Sequence, residues 1–317
     1  MKKPLIIISI LLISLLFLAA CKTKSKTPST GFIGGENGVE SQLTIRSTAG
    51  GNKVYDAGTD RFNIDILLEN KGEDSVEAGE VLVTLEGVNL KAFDINNPTQ
   101  SNTIPLFELR REGGSVTDPA QTIIEYNALY KTDEDSDVNA NLIANYCYKY
   151  QTKVSVPNFC IKKKVTGPSA GIVCSVDEIK TAGNSGGPIE VVTFSERPAG
   201  ENKISIFLEV ENVGGGTVYK QDYLSQGKCI DSEADKNKVY VKVDLPDYEV
   251  QSSSMIKCSS MNANEGIVSV TQNKVQLSCT IDTSSVTQET AFETRLRATF
   301  DYVYKNSVST VLTIKSS

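Results

Sequence analysis

The sequence predicts an all-β protein made of two tandem antiparallel β-sandwich domains. Apolar residues alternate strictly in "FNIDILLEN" (62–70) and in "ISIFLEVEN" (204–212), which is the pattern of half-buried strands. Further strand-like segments are divided by clusters of Gly, Asn and Asp, and no long segment has an amphipathic helical period. Many short strands with turn signals between them favour sandwiches over a parallel α/β sheet.

An internal repeat divides the chain. Glu69, Asn70, Gly72 and Val76 recur without a gap as Glu211, Asn212, Gly214 and Val218, and "ANYCYKY" (144–150) matches "ATFDYVY" (298–304) in its Ala, aromatic, Tyr and Tyr. A repeat of this length indicates two copies of one folding unit. We therefore predict homologous sandwich domains at residues 41–180 and 181–317.

The N-terminus has the layout of a secretory signal, predicted at residues 1–20. Lys2 and Lys3 precede an uncharged apolar run from Pro4 to Leu18. The residues Leu18-Ala19-Ala20-Cys21 resemble the lipobox of prokaryotic lipoproteins, which implies cleavage before Cys21 and a lipid on its sulfur. The alternative, an uncleaved anchor, is disfavoured because the run is short for a span of roughly 20 residues.

A flexible tether is predicted at residues 21–40. Ser, Thr, Gly and Pro without apolar periodicity follow Cys21 up to about Gly38. Lys22, Lys24 and Lys26 lie where they would meet anionic lipid head groups. Membrane lipid is therefore the first predicted partner, and the location is the extracytoplasmic face of a membrane, either cell surface or periplasm.

The charge balance disfavours nucleic acid as a partner. The signal holds two of the 32 basic residues, so 30 remain against 39 acidic residues, a net charge near −9. An acidic exported chain agrees better with an envelope protein or a glycan as the binding partner.

Six cysteines remain after Cys21, an even number in an exported chain, which is enough for three disulfides. Six cysteines allow 15 connectivities. We pair Cys160 with Cys174 and Cys258 with Cys279 because these pairs are local in sequence, which leaves Cys147 and Cys229 as a bridge between the domains. Free thiols or a metal site are disfavoured by the compartment and by the lack of close Cys pairs.

A stripe of tyrosines flanks the first of these cysteines, Cys147. Alternate residues of a strand share a face, so Tyr146, Tyr148 and Tyr150 are predicted to pack inside rather than to form a sugar-binding platform. The second copy repeats them as Phe300, Tyr302 and Tyr304. Cys147 and Lys149 are then predicted on the opposite, surface-facing side.

The segment "GNSGGP" (183–188) resembles the nucleophile loop of chymotrypsin-like serine proteases. That chemistry requires a histidine to take the proton of the serine, and the chain has none. We therefore predict that Ser185 is not a nucleophile and that this segment is a linker before the strand at 189–196.

Metal and cofactor sites are not predicted. The absence of histidine removes the usual zinc sites and most acid–base catalysis at neutral pH. Asp133, Asp135, Asp137 and Asn139 resemble the start of a calcium loop, but the Gly and the Glu of the EF-hand pattern are replaced by Val138 and Ala144. A solvated loop is the prediction, and a calcium site of another type stays open.

A strand that ends in Asn-x-Gly and is followed by a Val-rich strand, "LLENKGEDSVEAGEVLVTLEG" (67–87), resembles the cell-adhesion-related, immunoglobulin-like domains of archaeal and bacterial surface proteins. Uncharacterised exported archaeal proteins look similar. We expect the Asn and the Gly to adopt a left-handed turn. The resemblance implies an immunoglobulin-like fold and a surface setting, without a catalytic residue.

These observations predict a lipid-anchored surface protein that is not an enzyme and acts in binding, adhesion or structural support. The alternative is an envelope enzyme, or a solute or glycan receptor, whose site is not visible in the sequence. A deep pocket with displaced pKa values would favour this alternative.

Overall fold

The computed structural model describes residues 31–166, 173–226, 229 and 232–316. Cys21, the signal and most of the tether lie outside these residues. The chain is almost entirely β, and its sheets are sandwich-like, as predicted. Within the described residues we find no helix with the length and apolar character needed to cross a bilayer.

The first repeat contributes nine of the described strands. They are β1 (Val39–Arg46), β2 (Lys53–Tyr55), β3 (Arg61–Asn70), β4 (Val81–Glu86), β5 (Thr99–Ser101), β6 (Arg111–Glu112), β7 (Ser115–Val116), β8 (Ala120–Leu129) and β9 (Val138–Ile161). Strands β1, β3 and β8 form a three-stranded antiparallel sheet in that order.

The rest of the chain contains ten described strands. They are β10 (Glu178–Lys180), β11 (Gly183–Asn184), β12 (Ile189–Gly200), β13 (Lys203–Asn212), β14 (Thr217–Lys220), β15 (Lys238–Asp244), β16 (Ile256–Cys258), β17 (Glu265–Ser269), β18 (Lys274–Asp282) and β19 (Phe292–Lys315). Five of them form a sheet of the second repeat, in the order β10-β12-β13-β18-β16. One short helix, α1 (Glu249–Met255), precedes β16.

A nine-stranded sheet is common to both repeats. Its backbone is the antiparallel pair of 24-residue strands β9 and β19, which are hydrogen-bonded from Val138 opposite Ile314 to Ile161 opposite Phe292. The first half of β9 also pairs with β4, and the first half of β19 also pairs with β15. The second half of each strand therefore completes the sandwich of the other repeat.

We call this sharing of β9 and β19 between the two repeats the strand exchange. It has an approximate two-fold symmetry. The repeat equates Tyr148 with Tyr302 and Tyr150 with Tyr304, and in the sheet Tyr148 pairs with Tyr304 and Tyr150 with Tyr302. An exchange of the two copies therefore preserves the pairing, and the axis passes through the pair Lys149 and Val303. Two copies with one shared sheet bury their common face without an exposed edge between them.

The aromatic stripes form the centre of the core, as predicted. The rings of Tyr148 and Tyr304 lie 5.9 Å apart, and those of Tyr150 and Tyr302 lie 6.3 Å apart. All six side chains are at most 3% exposed, namely Tyr146, Tyr148, Tyr150, Phe300, Tyr302 and Tyr304. The facing sheets are joined in the first repeat by the hydroxyl of Tyr126 in β8, which donates to the carbonyl oxygen of Val83 in β4.

Cys147 lies on the side opposite to the tyrosines, but our prediction that it faces the surface is wrong. It is fully buried, because Tyr219, Tyr223 and Leu224 cover this part of the outer face. A small second core forms there, to which Cys229 and Val303 also belong. The sequence predicted correctly that Cys147 lies on the face of the strand opposite to the tyrosines. It gave no sign that side chains of the second repeat cover this face.

Three disulfides join the six cysteines, in the pairs that we proposed from the sequence. Cys147 is bonded to Cys229, Cys160 to Cys174, and Cys258 to Cys279. The first closes a loop of 82 residues and fastens the covering segment of the second repeat to a strand that begins in the first. Three disulfides suggest an oxidising, extracytoplasmic environment.

The strand exchange predicts that the last residues of the chain stabilise the first repeat. Leu312 is fully buried, whereas its neighbour Val311 is 56% exposed. We expect Leu312→Ala to lower the free energy of unfolding by about 2–5 kcal/mol, because it leaves a cavity. Val311→Ala is the matched control and should change it by about 0.5 kcal/mol or less.

Denaturant unfolding measures both variants, and amide hydrogen exchange locates the effect. We expect faster exchange in β1 and β3 of Leu312→Ala with little change in β12 and β13. Faster exchange confined to β12 and β13 would contradict the exchange of strands.

Candidate functional site

The repeated Asn-x-Gly loops lie beside the two-fold axis, where each binds a core tyrosine. In the first repeat Asn70 Oδ1 accepts a hydrogen bond from the Tyr150 hydroxyl (3.3 Å), and Asn70 Nδ2 donates to the carbonyl of Asp74 (2.7 Å). The backbone N–H of Asp74 donates to the same hydroxyl (3.3 Å). The asparagine and the tyrosine together thus close the loop that follows β3.

The second repeat reproduces this arrangement. The Tyr304 hydroxyl donates to Asn212 Oδ1 (2.8 Å), Asn212 Nδ2 donates to the carbonyl of Gly216 (2.8 Å), and the N–H of Gly216 donates to the Tyr304 hydroxyl (2.7 Å). Burial raises the pKa of Tyr304 to about 12 and raises that of Tyr150 as well, so both hydroxyls keep their protons. The loops are structural clamps rather than catalytic elements.

The reason that we gave for the Asn and the Gly is wrong. None of Asn70, Gly72, Asn212 and Gly214 has a positive φ. Glycine is required for close approach: a Cβ on Gly72 would lie 2.0 Å from the Tyr150 hydroxyl oxygen, and one on Gly214 would lie 2.5 Å from Pro188 Cβ. Asparagine is required for its hydrogen bonds.

Ser185 lies at the centre of the molecule and not in a loose linker, so the linker interpretation is wrong. Its side chain is 1% exposed, and its Oγ accepts a hydrogen bond from the backbone N–H of Lys153 (2.9 Å). Its own N–H donates to the carbonyl of Lys153 (2.8 Å), which continues the pairing of β11 with β9. A serine held in this way follows β11 directly and extends its contact along the edge of β9.

Glu73 joins the N-terminal segment to this same place. Its carboxylate accepts hydrogen bonds from the backbone N–H groups of Ile33 (2.9 Å), Gly34 (2.8 Å) and Gly186 (2.7 Å). The N–H of Gly187 donates to the carbonyl of Gly35 (2.9 Å). Ile33, Gly34 and Gly35 fall within the predicted tether, yet they are fastened to both repeats. We call this set of contacts the Glu73 clamp.

A cavity of about 510 Å³ opens beside the two-fold axis. Gln151 links two of its carboxylates, because its N–H donates to Asp74 (2.8 Å) and its side-chain amide donates to Asp301 (2.6 Å). Glu80 accepts a hydrogen bond from Lys149 (2.8 Å). Burial raises the pKa of Asp74 to about 6, although the positive charge of Lys153 opposes the shift. The cavity is thus polar and able to bind a proton near neutral pH.

A second displaced pKa belongs to Glu196, which the sequence analysis did not single out. Glu196 is fully buried, and its counterpart in the first repeat is Ile45. Glu196 pairs with Ile206, and Ile45 pairs with Ile64, which is the residue equivalent to Ile206. Burial raises its pKa to about 7, and the opposing charge is that of Lys180, whose Nζ is 3.3 Å away. An acidic residue at an apolar position of "IEVVTFSE" was the available signal.

Glu196 replaces a missing strand. Its carboxylate accepts a hydrogen bond from the N–H of Cys160 (3.2 Å) in β9. Because β9 has one extra residue after Val156 where it pairs with β19, the equivalent of Cys160 in the first repeat is Thr313. The N–H of Thr313 donates to the carbonyl of Asn52 (2.8 Å), directly before β2. The buried carboxylate therefore satisfies a backbone group that a main-chain carbonyl satisfies in the other copy, and this role is structural.

The acidic stretch 133–139 leads from the connection after β8 into β9, whose first two residues are Val138 and Asn139, and it is exposed over most of its length. Asp137 accepts hydrogen bonds from Lys315 Nζ and the N–H of Ser316, and its bond to Lys315 lowers its pKa. Asn139 accepts a hydrogen bond from Thr313 (2.9 Å). Within the part of the chain that the structure describes, no group of three or more His, Cys, Asp or Glu side chains could hold a metal ion.

No protein family model matches this chain, and no curated protein is significantly similar to it. The function must therefore be inferred from the chain itself.

The tyrosine clamps predict equal effects in the two repeats. Tyr150→Phe and Tyr304→Phe each leave a buried asparagine oxygen and a backbone N–H without their shared partner, so each should lower the free energy of unfolding by about 1–3 kcal/mol. Tyr55→Phe, at an exposed tyrosine, is the control and should have little effect. Denaturant unfolding of the three variants measures this, and an unchanged stability in both clamp variants would contradict the assignment.

Glu196 predicts a characteristic pH dependence. Its pKa is higher in the folded state than the ordinary value of 4.5, so the folded protein binds more protons between these pH values. The contribution of this group to stability is then present below about pH 4.5 and is lost as the pH rises to about 7. We expect Glu196→Gln to remove this decrease, measured as thermal midpoints from pH 4 to pH 8 against the wild type. Parallel curves for the two proteins would show that Glu196 titrates normally.

Proposed function

We propose that this protein is a lipid-anchored, extracytoplasmic binding and adhesion module without catalytic activity, built from two immunoglobulin-like domains. In this proposal the chain is cleaved before Cys21, a lipid on Cys21 holds it to the membrane, and the two sandwiches present a surface to an envelope protein or glycan. The disulfides support the compartment, and the lipobox-like residues support the anchor.

The Glu73 clamp is the observation that carries the proposal. The carboxylate of Glu73, in the first repeat, accepts two hydrogen bonds from the N-terminal segment, at Ile33 and Gly34. It accepts a third from Gly186 of the second repeat. A carboxylate with several N–H donors forms charge-assisted bonds, which are stronger than neutral ones. A tether that is fastened at the junction suits a protein whose task is to hold two modules at a membrane.

The side chains that suggested chemistry have structural partners instead. Ser185 Oγ is bound to the backbone of β9, and the carboxylates of Asp74 and Asp301 accept hydrogen bonds from Gln151. A nucleophile activated for catalysis would instead be within reach of a general base. These contacts favour binding over catalysis.

The alternative is an envelope enzyme, or a solute or glycan receptor, and the polar cavity beside Asp74 is the observation that favours it. A cavity of about 510 Å³ has the size of a small-molecule site. If this cavity binds a solute, Asp74→Asn should abolish the binding while it leaves attachment to an envelope partner unchanged.

The proposal predicts a recurrent partner in intact cells. We would crosslink cells that express the wild type and identify attached proteins and glycans by mass spectrometry, with Cys21→Ala as the unanchored control. We expect a partner that is captured with the wild type and lost with Cys21→Ala, because the anchor brings the modules to it. The recovery of Cys21→Ala in the membrane fraction, or no specific partner at good crosslinking yield, would count against the proposal.

A further inference from the structure

The two repeats differ at one open side of their sandwiches. In the second repeat the segment 178–185 fills this side: β10 pairs with the edge of β12, and β11 pairs with β9 opposite Val154 and Ser155. Ser185 extends this contact to Lys153. The edges of both sheets are therefore covered by one extended stretch of the chain.

In the described part of the chain, the corresponding side of the first repeat has no such stretch. One of its edges is β1, which pairs only with β3 among the described strands. The other is the part of β19 between Lys305, which pairs with β14, and Thr313, which pairs with β2. No strand in the described part of the chain pairs with this side of β19 at residues 306–312. We call this the open edge.

The open edge has backbone groups that are ready for a further strand. Lys305 and Thr313 direct their backbone groups to neighbours on this side, so Ser307, Ser309 and Val311, which have the same parity, face it as well. The N–H of Ser307 is bound by its neighbour Asn306, which leaves the positions of Ser309 and Val311. Ser309 is equivalent to Ser155, the residue that pairs with β11 in the second repeat.

A groove of about 290 Å³ continues from the open edge between β19 and the start of β1. Three tyrosines line it, and no Lys or Arg is among the described residues that do so. Its acidic residues are Glu36 and Glu40, of which Glu40 is paired with Lys71 (2.6 Å). The acidic character of the groove therefore rests on Glu36, which favours a basic segment.

Residues 33 and 34 do not fill this place. Ile33 and Gly34 are the residues equivalent to Gly183 and Asn184, and they would lie opposite Ser309 and Val308 if the repeats were identical. Their N–H groups are instead bound to Glu73. The clamp thus holds the described part of the tether away from the open edge.

We propose that the open edge of the first repeat binds an extended segment of another polypeptide, rich in small residues and containing a lysine or arginine, by strand addition to β19. The segment 178–185, "EIKTAGNS", is the internal template for the extended backbone and the small residues, because it occupies the equivalent place in the second repeat. The basic residue follows instead from Glu36 in the groove. Main-chain hydrogen bonds would supply affinity, and the acidic groove would select charge. This inference rests on the proposed binding function and specifies one of its surfaces.

The test uses amide hydrogen exchange of residues 21–317 with Cys21→Ala, and a blocked synthetic peptide of the sequence EIKTAGNS as the probe. At saturating peptide we expect the amides of Ser309 and Val311 to exchange roughly tenfold more slowly. Ser309→Pro removes one outward N–H at an edge, where proline is tolerated, and should abolish the effect. Ser309→Ala keeps the N–H and should retain it.

Equal thermal midpoints of Ser309→Pro and Ser309→Ala establish that both fold. The proposal is overturned if the peptide slows exchange equally in both variants, or if it does not slow exchange at residues 307–311 of the parent protein. It is also overturned if these amides are already protected without peptide. Loss of that protection on removal of residues 22–30 would identify the tether as the occupant of the open edge. Loss of that protection on dilution would identify a second copy of the protein as the occupant.

Failure of this test does not remove the binding function itself. A partner captured in cells with the wild type and with Ser309→Pro alike would support the binding function and would place the contact on another surface. Loss of that partner in Ser309→Pro, but not in Ser309→Ala, would join the two proposals.

Discussion

The antiparallel pairing of β9 with β19 is the constraint on which the rest of the structure depends. Each strand is 24 residues long, about four times the usual length, and each serves two sandwiches. Because the pairing is continuous across the two-fold axis, the tyrosines of both copies face one another in a single core. Neither sandwich is complete without residues from the other repeat, so the folding of the two repeats is coupled.

The pairing also explains why the glycines and asparagines recur. Tyr150 and Tyr304 direct their hydroxyls at the loops after β3 and β13, where a side chain at Gly72 or Gly214 would collide with them. The repeated Asn-x-Gly is thus the counterpart of the repeated tyrosine, although the two lie far apart in sequence. A tight turn would need only the Asn-x-Gly segment, whereas the observed clamp needs the tyrosine as well.

The sequence was sufficient for the properties that depend on local pattern. Alternation at period two located strands such as β3 and β13, the repeat located their equivalents, and the even number of cysteines led to the observed pairs. It was insufficient where a distant segment decides the environment. Cys147 is buried by residues more than 70 positions later, and Ser185 is ordered by a strand edge that composition does not reveal. The exchange of β9 and β19 has no local signal, because a long alternating strand looks the same whichever sheet it completes.

The differences between the copies are more informative about function than their similarities. The same backbone position near the end of a long strand is satisfied by the carbonyl of Asn52, directly before β2, in the first repeat and by the buried carboxylate of Glu196 in the second. The same side is filled by residues 178–185 in the second repeat, whereas no strand in the described part of the chain fills it in the first. Burial of a carboxylate costs free energy, and an unpaired edge invites association. A fold that needed only to be stable would have reason to cover both edges in the same way. The open edge lies beside an acidic groove and next to the clamped residues of the tether. Another chain can pair with this edge without breaking any hydrogen bond that the described part of the protein already makes.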